Sequence, residues 1–119
     1  MFLGLRTVIY PAPDLAGSKA WFTRVLGAEP YFDQPYYVGF NVGGYELGLD
    51  PNADPADGPV TYWGVTNADS TFAFLVDAGA TERTPVADVG EEIRLASVRQ
   101  PDGSVFGIIE NPNFRLTDA

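Results

Sequence analysis

Histidine and cysteine are both missing from this 119-residue chain. No side chain therefore has an ordinary pKa near neutrality. A Ser-His-Asp relay is impossible. Zinc, nickel, iron or copper held by imidazole or thiolate is excluded as well. Acid–base chemistry must come from Asp, Glu, Lys, Tyr or water. The carboxylate best placed for it is Glu46, on a run that reads as a strand two residues before Gly48. Residues two apart on a strand project to one face, so Glu46 and Gly48 share theirs. Glu46 is then either an edge residue reaching solvent or the polar anchor of a bound molecule. Facing inward, it needs a partner, because an unpaired buried carboxylate is costly. Arg94 or Arg99 could supply the charge, and strand parity does not choose between them. As a base, Glu46 would need its pKa raised by burial. Glu110, three residues after Gly107 and of opposite parity, reads as a solvated strand end.

Aromatic residues gather at Tyr31, Phe32, Tyr36, Tyr37, Phe40, Tyr45, Tyr62 and Trp63. Most strand aromatics are plain core. By parity Tyr62 shares a face with Val60, and Trp63 points the other way, toward a helix. Tyr62 is thus a candidate electrophile beside Glu46, or a surface for a planar ligand. Gly48 and Gly107 withhold side chains from the same face and leave room there.

The elements that must position these residues come in two copies. Residues 4–50 and 59–110 repeat one pattern of apolar runs, turns and helix signals. In the first, residues 2–10 read as a strand, Asp14 caps a helix, and Leu15, Phe22, Val25 and Leu26 form its apolar stripe. Gly27 ends that helix. Short strands follow near 29–32, 35–42 and 45–49, with a Gly43-Gly44 hairpin turn. The polar segment 50–58 is a linker. In the second copy, 59–65 is a strand and Asn67 caps a helix with Thr71, Phe74, Leu75 and Ala78 on its stripe. Strands at 81–86, 92–99 and 104–110 complete it, the last two joined by a type I turn over 100–103. The tail after Pro112 reads as loosely held. The order is βαβββ twice, an α+β fold. Alternation along the strands implies a cupped mixed sheet, with helices on its convex face. One domain over 1–119 follows, with module one at 4–50, linker 51–58 and module two at 59–113. A half of about 50 residues cannot easily bury its own core, so two copies must lean on each other or on a second chain.

The formal charge is −9, from 16 acidic and 7 basic residues. Such a field repels nucleic acid and anionic membrane surfaces. It favours a cationic ligand, or serves only to keep the protein soluble. No apolar run is long enough to span a bilayer, and the first residues lack the marks of a secretion signal. The lack of cysteine fits a reducing cytoplasm.

Several motifs resemble the vicinal oxygen chelate superfamily of glyoxalases, bleomycin-resistance proteins and extradiol dioxygenases. They are Asp14-Leu15, Trp21-Phe22, Val25-Leu26-Gly27-Ala28, the strand Val60–Val65, Ala78-Gly79-Ala80 and Pro101-Asp102-Gly103-Ser104-Val105-Phe106. Enzymes of that superfamily hold a divalent metal in the cup. Their ligands are a His seven residues before the helix-cap residue and a Glu four residues after the turn Gly, once per module. The resemblance carries those positions onto Thr7 and Gly48, then Val60 and Gly107. None is a useful metal ligand, so no cofactor is expected. The reading carried forward is a metal-free binding protein of the bleomycin-resistance type. It would hold an aromatic or cationic molecule among Thr7, Ile9, Glu46, Gly48, Val60, Tyr62, Val105 and Gly107. The alternatives are a glyoxalase-like lyase or isomerase using Glu46 and Tyr62, and an interaction module whose cup is filled by its own side chains. Related small chains pair their modules across subunits, and exposed strand edges point the same way, so a homodimer is expected.

Overall fold

The computed structural model describes residues 1–115. Its elements are β1 (Phe2–Pro11), α1 (Leu15–Leu26), β2 (Phe32–Gln34), β3 (Tyr37–Val42), β4 (Tyr45–Asp50), β5 (Val60–Val65), α2 (Ala68–Asp77), β6 (Thr81–Asp88), β7 (Arg94–Arg99) and β8 (Val105–Glu110). The βαβββ order occurs twice, and the fold is α+β as expected. The linker contains a 3-10 turn, Pro55–Asp57, that composition did not reveal. Two compact units result. The first unit holds Thr7–Pro59, and the second holds Met1–Arg6 with Val60–Phe114. Strand β1 thus contributes its opening residues to the second unit and its remainder to the first.

In the first unit the strands run in the order β2-β3-β4-β1. Strand β1 pairs in parallel with β4, and β3 pairs antiparallel with both β4 and β2. The β3–β4 turn places Gly43 at φ 61° and Gly44 at φ 92°. A type I′ hairpin requires positive φ at both central residues, which glycine supplies without strain. Asp14 caps α1 by accepting the Gly17 N–H at 3.1 Å. Gly27 ends it in the left-handed region, with φ 68°. The core is Ala12, Val38, Phe40 and Leu49, covered by Tyr10, Leu15, Phe22, Leu26 and Leu47. Val25, expected in the stripe, is 55% exposed. Strand β2 begins at Phe32, later than the expected 29–32. Pro30 has no N–H to give a ladder, which argues against a strand through it.

In the second unit the order is β5-β8-β7-β6, with the start of β1 beside β5. Strands β5 and β8 are parallel, and β7 is antiparallel to both β8 and β6. The core is Val65, Ala68, Ala96 and Ile108, covered by Phe72, Leu75, Val86 and Phe106. Ala68, Thr71, Phe72 and Leu75 are the i, i+3, i+4, i+7 set of one helical face. Phe74, placed on the stripe from sequence, is 52% exposed. Trp63, expected against a helix, stacks on Phe106 with ring centroids 6.3 Å apart. The tail is anchored at least as far as Phe114, not loose. The Asn113 amide donates to the Glu91 carbonyl at 2.8 Å, and the Arg6 guanidinium lies 3.9 Å over the Phe114 ring. Residues 116–119 of that tail lie outside the described residues. Among the described residues no helix is long and apolar enough to cross a membrane.

Candidate functional site

Thr7 and Glu46 are direct partners across the β1–β4 ladder, as are Ile9 and Gly48. The predicted residues of the first unit therefore form two adjacent cross-strand pairs. Glu46 is half-buried. Its carboxylate accepts three hydroxyls. Tyr37 donates at 2.8 Å and Thr7 at 3.3 Å to Oε1, and Tyr31 donates to Oε2. The sequence offered Arg94 or Arg99 as partners. Arg94 instead pairs with Asp69, and Arg99 donates to the Gly103 carbonyl at 3.0 Å. Neutral donors from the same unit take the place foreseen for a cation.

Two glycines make room for this cluster. Gly39 and Gly48 face each other across β3–β4. A Cβ on Gly39 would stand 2.7 Å from Glu46 Oε2 and 3.1 Å from the Tyr31 ring, and one on Gly48 would collide with Tyr37. Burial, reinforced by the charge of Glu46 and its hydrogen bond, pushes the Tyr37 phenol well above 10.0. Tyr31 is raised as well, by desolvation of its hydroxyl first and then by Glu46. Both phenols thus keep their protons and act as donors. A carboxylate offers about four lone-pair sites, and three accepted bonds leave about one, on Oε2. Sequence parity found Glu46 but missed the two tyrosines. Tyr31 lies just outside β2, tied in by its N–H to the Gly39 carbonyl at 3.0 Å.

The remaining predicted residues belong to the second unit. Tyr62 pairs with Gly107, and Val105 pairs with Arg99. Val60 is 6% exposed at the start of β5. A Cβ on Gly107 would stand 2.6 Å from the Tyr62 ring, which lies down over the glycine. Glu110 is not a solvated strand end. Its Oε1 accepts the Ala68 N–H at 2.8 Å and so caps α2 from a neighbouring strand. An open depression of about 310 Å³, lined by Leu15, Lys19, Asp33, Pro35 and Val38, lies on the helix side of the first unit. That is the face opposite Glu46, and its two charged residues, Lys19 and Asp33, are paired with each other.

Two βαβββ units, each a mixed sheet covered by one helix, define a class of paired-module proteins. The glyoxalase/bleomycin resistance protein/dioxygenase superfamily model matches residues 4–108, and the chain belongs to that superfamily. Solved structures agree on the fold. A superfamily member from Vibrio splendidus 12B01 has a TM-score of 0.69 at 18% identity, covering 90% of this chain and 99% of its own. Streptomyces coelicolor methylmalonyl-CoA epimerase, solved with 2-nitronate-propionyl-CoA, reaches 0.75 at 12% identity, covering 94% and 99%. No curated protein matches the chain significantly.

The divalent metal implied by the superfamily does not fit these residues. Such a site needs three or four donors. Thr7 gives its hydroxyl to Glu46. Val60 is aliphatic. Gly48 and Gly107 have no side chain, and the space a side chain would take is filled by Tyr37 and Tyr62. Among the described residues no three of His, Cys, Asp and Glu cluster.

Proposed function

We propose that the protein binds a small organic cation or aromatic amine without a metal, on the face that presents Glu46. The observation that carries this reading is the carboxylate held by Thr7, Tyr31 and Tyr37. Its orientation is fixed before a ligand arrives, and about one acceptor site on Oε2 remains for an N–H. Tyr31 is 62% exposed and offers a ring face beside that oxygen, the geometry of a cation–π contact. A net charge of −9 draws cations toward it. The cysteine-free composition suits a cytoplasmic setting.

A thermal-shift screen with cationic glycopeptides and aromatic amines tests this. A ligand at 100 times its dissociation constant should stabilise the protein by about 2.7 kcal/mol. Glu46→Gln removes the charge but keeps the shape, so it should weaken binding by about tenfold or more. A screen in which no cation stabilises the protein, or an unaffected Glu46→Gln variant, defeats the reading.

The alternative is a lyase or isomerase, as the superfamily and the epimerase fold suggest. Its specific support is the pair of proton-bearing phenols beside a carboxylate, an arrangement able to move a proton. Three hydroxyls already occupy most of the lone pairs a base would use. Binding without turnover is therefore favoured. Incorporation of solvent deuterium into a carbon acid, lost in Glu46→Gln, would establish the enzyme instead.

A further inference from the structure

The depression on the helix side of the first unit lies between α1 and the β2–β3 hairpin, and its volume is about 310 Å³. Its apolar lining is Leu15 and Ala16 from α1, Pro35 from the hairpin turn and Val38 from β3. Val38 is 1% exposed and forms the floor. Asp33 pairs with Val38 across the β2–β3 ladder, and residues directly opposite each other share a face. Lys19 follows Leu15 by four residues on α1, so the helix presents both to the same hollow. The Lys19 ammonium and the Asp33 carboxylate meet there, with 36% and 45% of their side chains exposed. An exposed pair of this kind adds little to stability, which leaves both charges ready to accept further partners. Ala16 puts only a methyl group beside the pair, and the hollow stays open. A contact pair of opposite charges next to an apolar hollow complements one kind of ligand. Such a ligand carries both charges at one end and an apolar group at the other.

We propose that this depression binds a free α-amino acid with an aliphatic side chain the size of leucine. The ligand carboxylate accepts from Lys19 Nζ, and its ammonium donates to the Asp33 carboxylate. Its side chain lies on Val38 between Leu15, Ala16 and Pro35. The four charges then alternate in sign around a ring. An ammonium has three donors and a carboxylate about four acceptor sites, so Lys19 and Asp33 hold the ligand and each other together. A lone carboxylate would instead compete with Asp33 for Lys19, and a lone amine would compete with Lys19 for Asp33. A zwitterion has no net charge, so the −9 of the chain does not repel it as it repels an anion. Ligand sites start at about 300 Å³, and a hollow of that size suits a ligand of few atoms rather than a nucleotide. The site is on the sheet face opposite Glu46 and does not depend on the cation reading.

Nuclear magnetic resonance titration of the ¹⁵N-labelled full chain with L-leucine tests the proposal. Saturable shifts are expected at the amides of Ala16, Lys19, Asp33 and Val38, with a dissociation constant of about 1–10 mM. L-Alanine, three carbons shorter, should bind about tenfold more weakly. 4-Methylpentanoate keeps the carboxylate alone, and leucinamide keeps the ammonium alone. Read at the same amides, each should bind about fivefold or more weakly than leucine. Ala16→Leu keeps both charges and a good helix former but fills the hollow, and should weaken leucine by about tenfold. Lys19→Gln and Asp33→Asn should each weaken it by about fivefold. Glu46→Gln should leave leucine binding at these amides unchanged, which separates this site from the cation site. The proposal fails if leucine gives no saturation there up to about 50 mM. It also fails if alanine or either singly charged analogue matches leucine, or if any of the three variants in the depression binds like the parent.

Discussion

Glu46 and its three hydroxyl donors show how far a single residue can be read from sequence. Parity gave its face and its kinship with Gly48, because alternation along a strand is geometric. Its partners were not legible. Tyr31 sits before a strand whose start the sequence misplaced, and Tyr37 reaches Glu46 only because Gly39 and Gly48 clear the space. Both phenols are raised above 10.0, chiefly by burial and then by Glu46. The folded state therefore keeps protons that the unfolded chain releases above about pH 10. Their contribution is complete below that pH, and stability should fall as pH rises beyond it. Urea titrations at stepped pH should show the loss, and Tyr37→Phe should flatten it. Gly48→Ala should displace Tyr37 from Glu46 and leave the fold intact. An absorbance titration of the phenols would then show one fewer high-pH tyrosine. Unchanged phenol titration in Gly48→Ala would mean that the glycine does not make the site.

At the level of elements, the punctuation was readable and the helix faces were not. Asp14, Gly27, Asn67 and the Gly43-Gly44 turn all act as their residue types dictate, because each answers a local backbone need. Which apolar residue of a helix faces the sheet is a tertiary matter. Val25 and Phe74 have the right character for a stripe but are exposed, and in α2 Phe72, two residues and about 200° round the helix from Phe74, takes the inner place. The cap on α2 is likewise tertiary, since Glu110 arrives from β8. Removing it leaves a helix N–H without its acceptor. Glu110→Ala should cost about 1–2 kcal/mol, measured by urea denaturation, with Glu110→Gln recovering part. A neutral Glu110→Ala would return that residue to the solvated role its parity suggested. The same helix carries a fault in Thr71, 1% exposed, whose Oγ1 has no hydrogen-bond partner among the described residues. Thr71→Val removes the orphaned hydroxyl and keeps the branched shape. It should stabilise the protein by about 1 kcal/mol.

For the whole molecule, the duplicated pattern was the strongest signal in the sequence. It identified the βαβββ order because spacing between turns and caps survives even where site residues have changed. What the molecule does with its surface is a separate matter, and we propose a homodimer. Open edges motivated that expectation, but the edges are guarded. Strand β2 has only three residues, and β6 carries two register shifts together with Glu82, Arg83 and Asp88. Short, irregular, charged edges resist strand addition. The exposed apolar surface of α1 is the better candidate. Trp21 is 50% exposed and Val25 55%, one helical turn apart. Residues at i and i+4 share a helix face, and a bare tryptophan in such a patch gains most by being covered. Two copies meeting there would satisfy a two-fold axis with one self-complementary patch. The −9 charge on each chain opposes the pairing at low salt, so salt should strengthen it by screening. Light scattering in about 0.15 M salt should return twice the 12.9 kDa of one chain. Trp21→Glu should return the single mass while leaving the circular dichroism spectrum unchanged. A parent protein that stays at 12.9 kDa at every salt concentration would show that this helix face is simply left open to water.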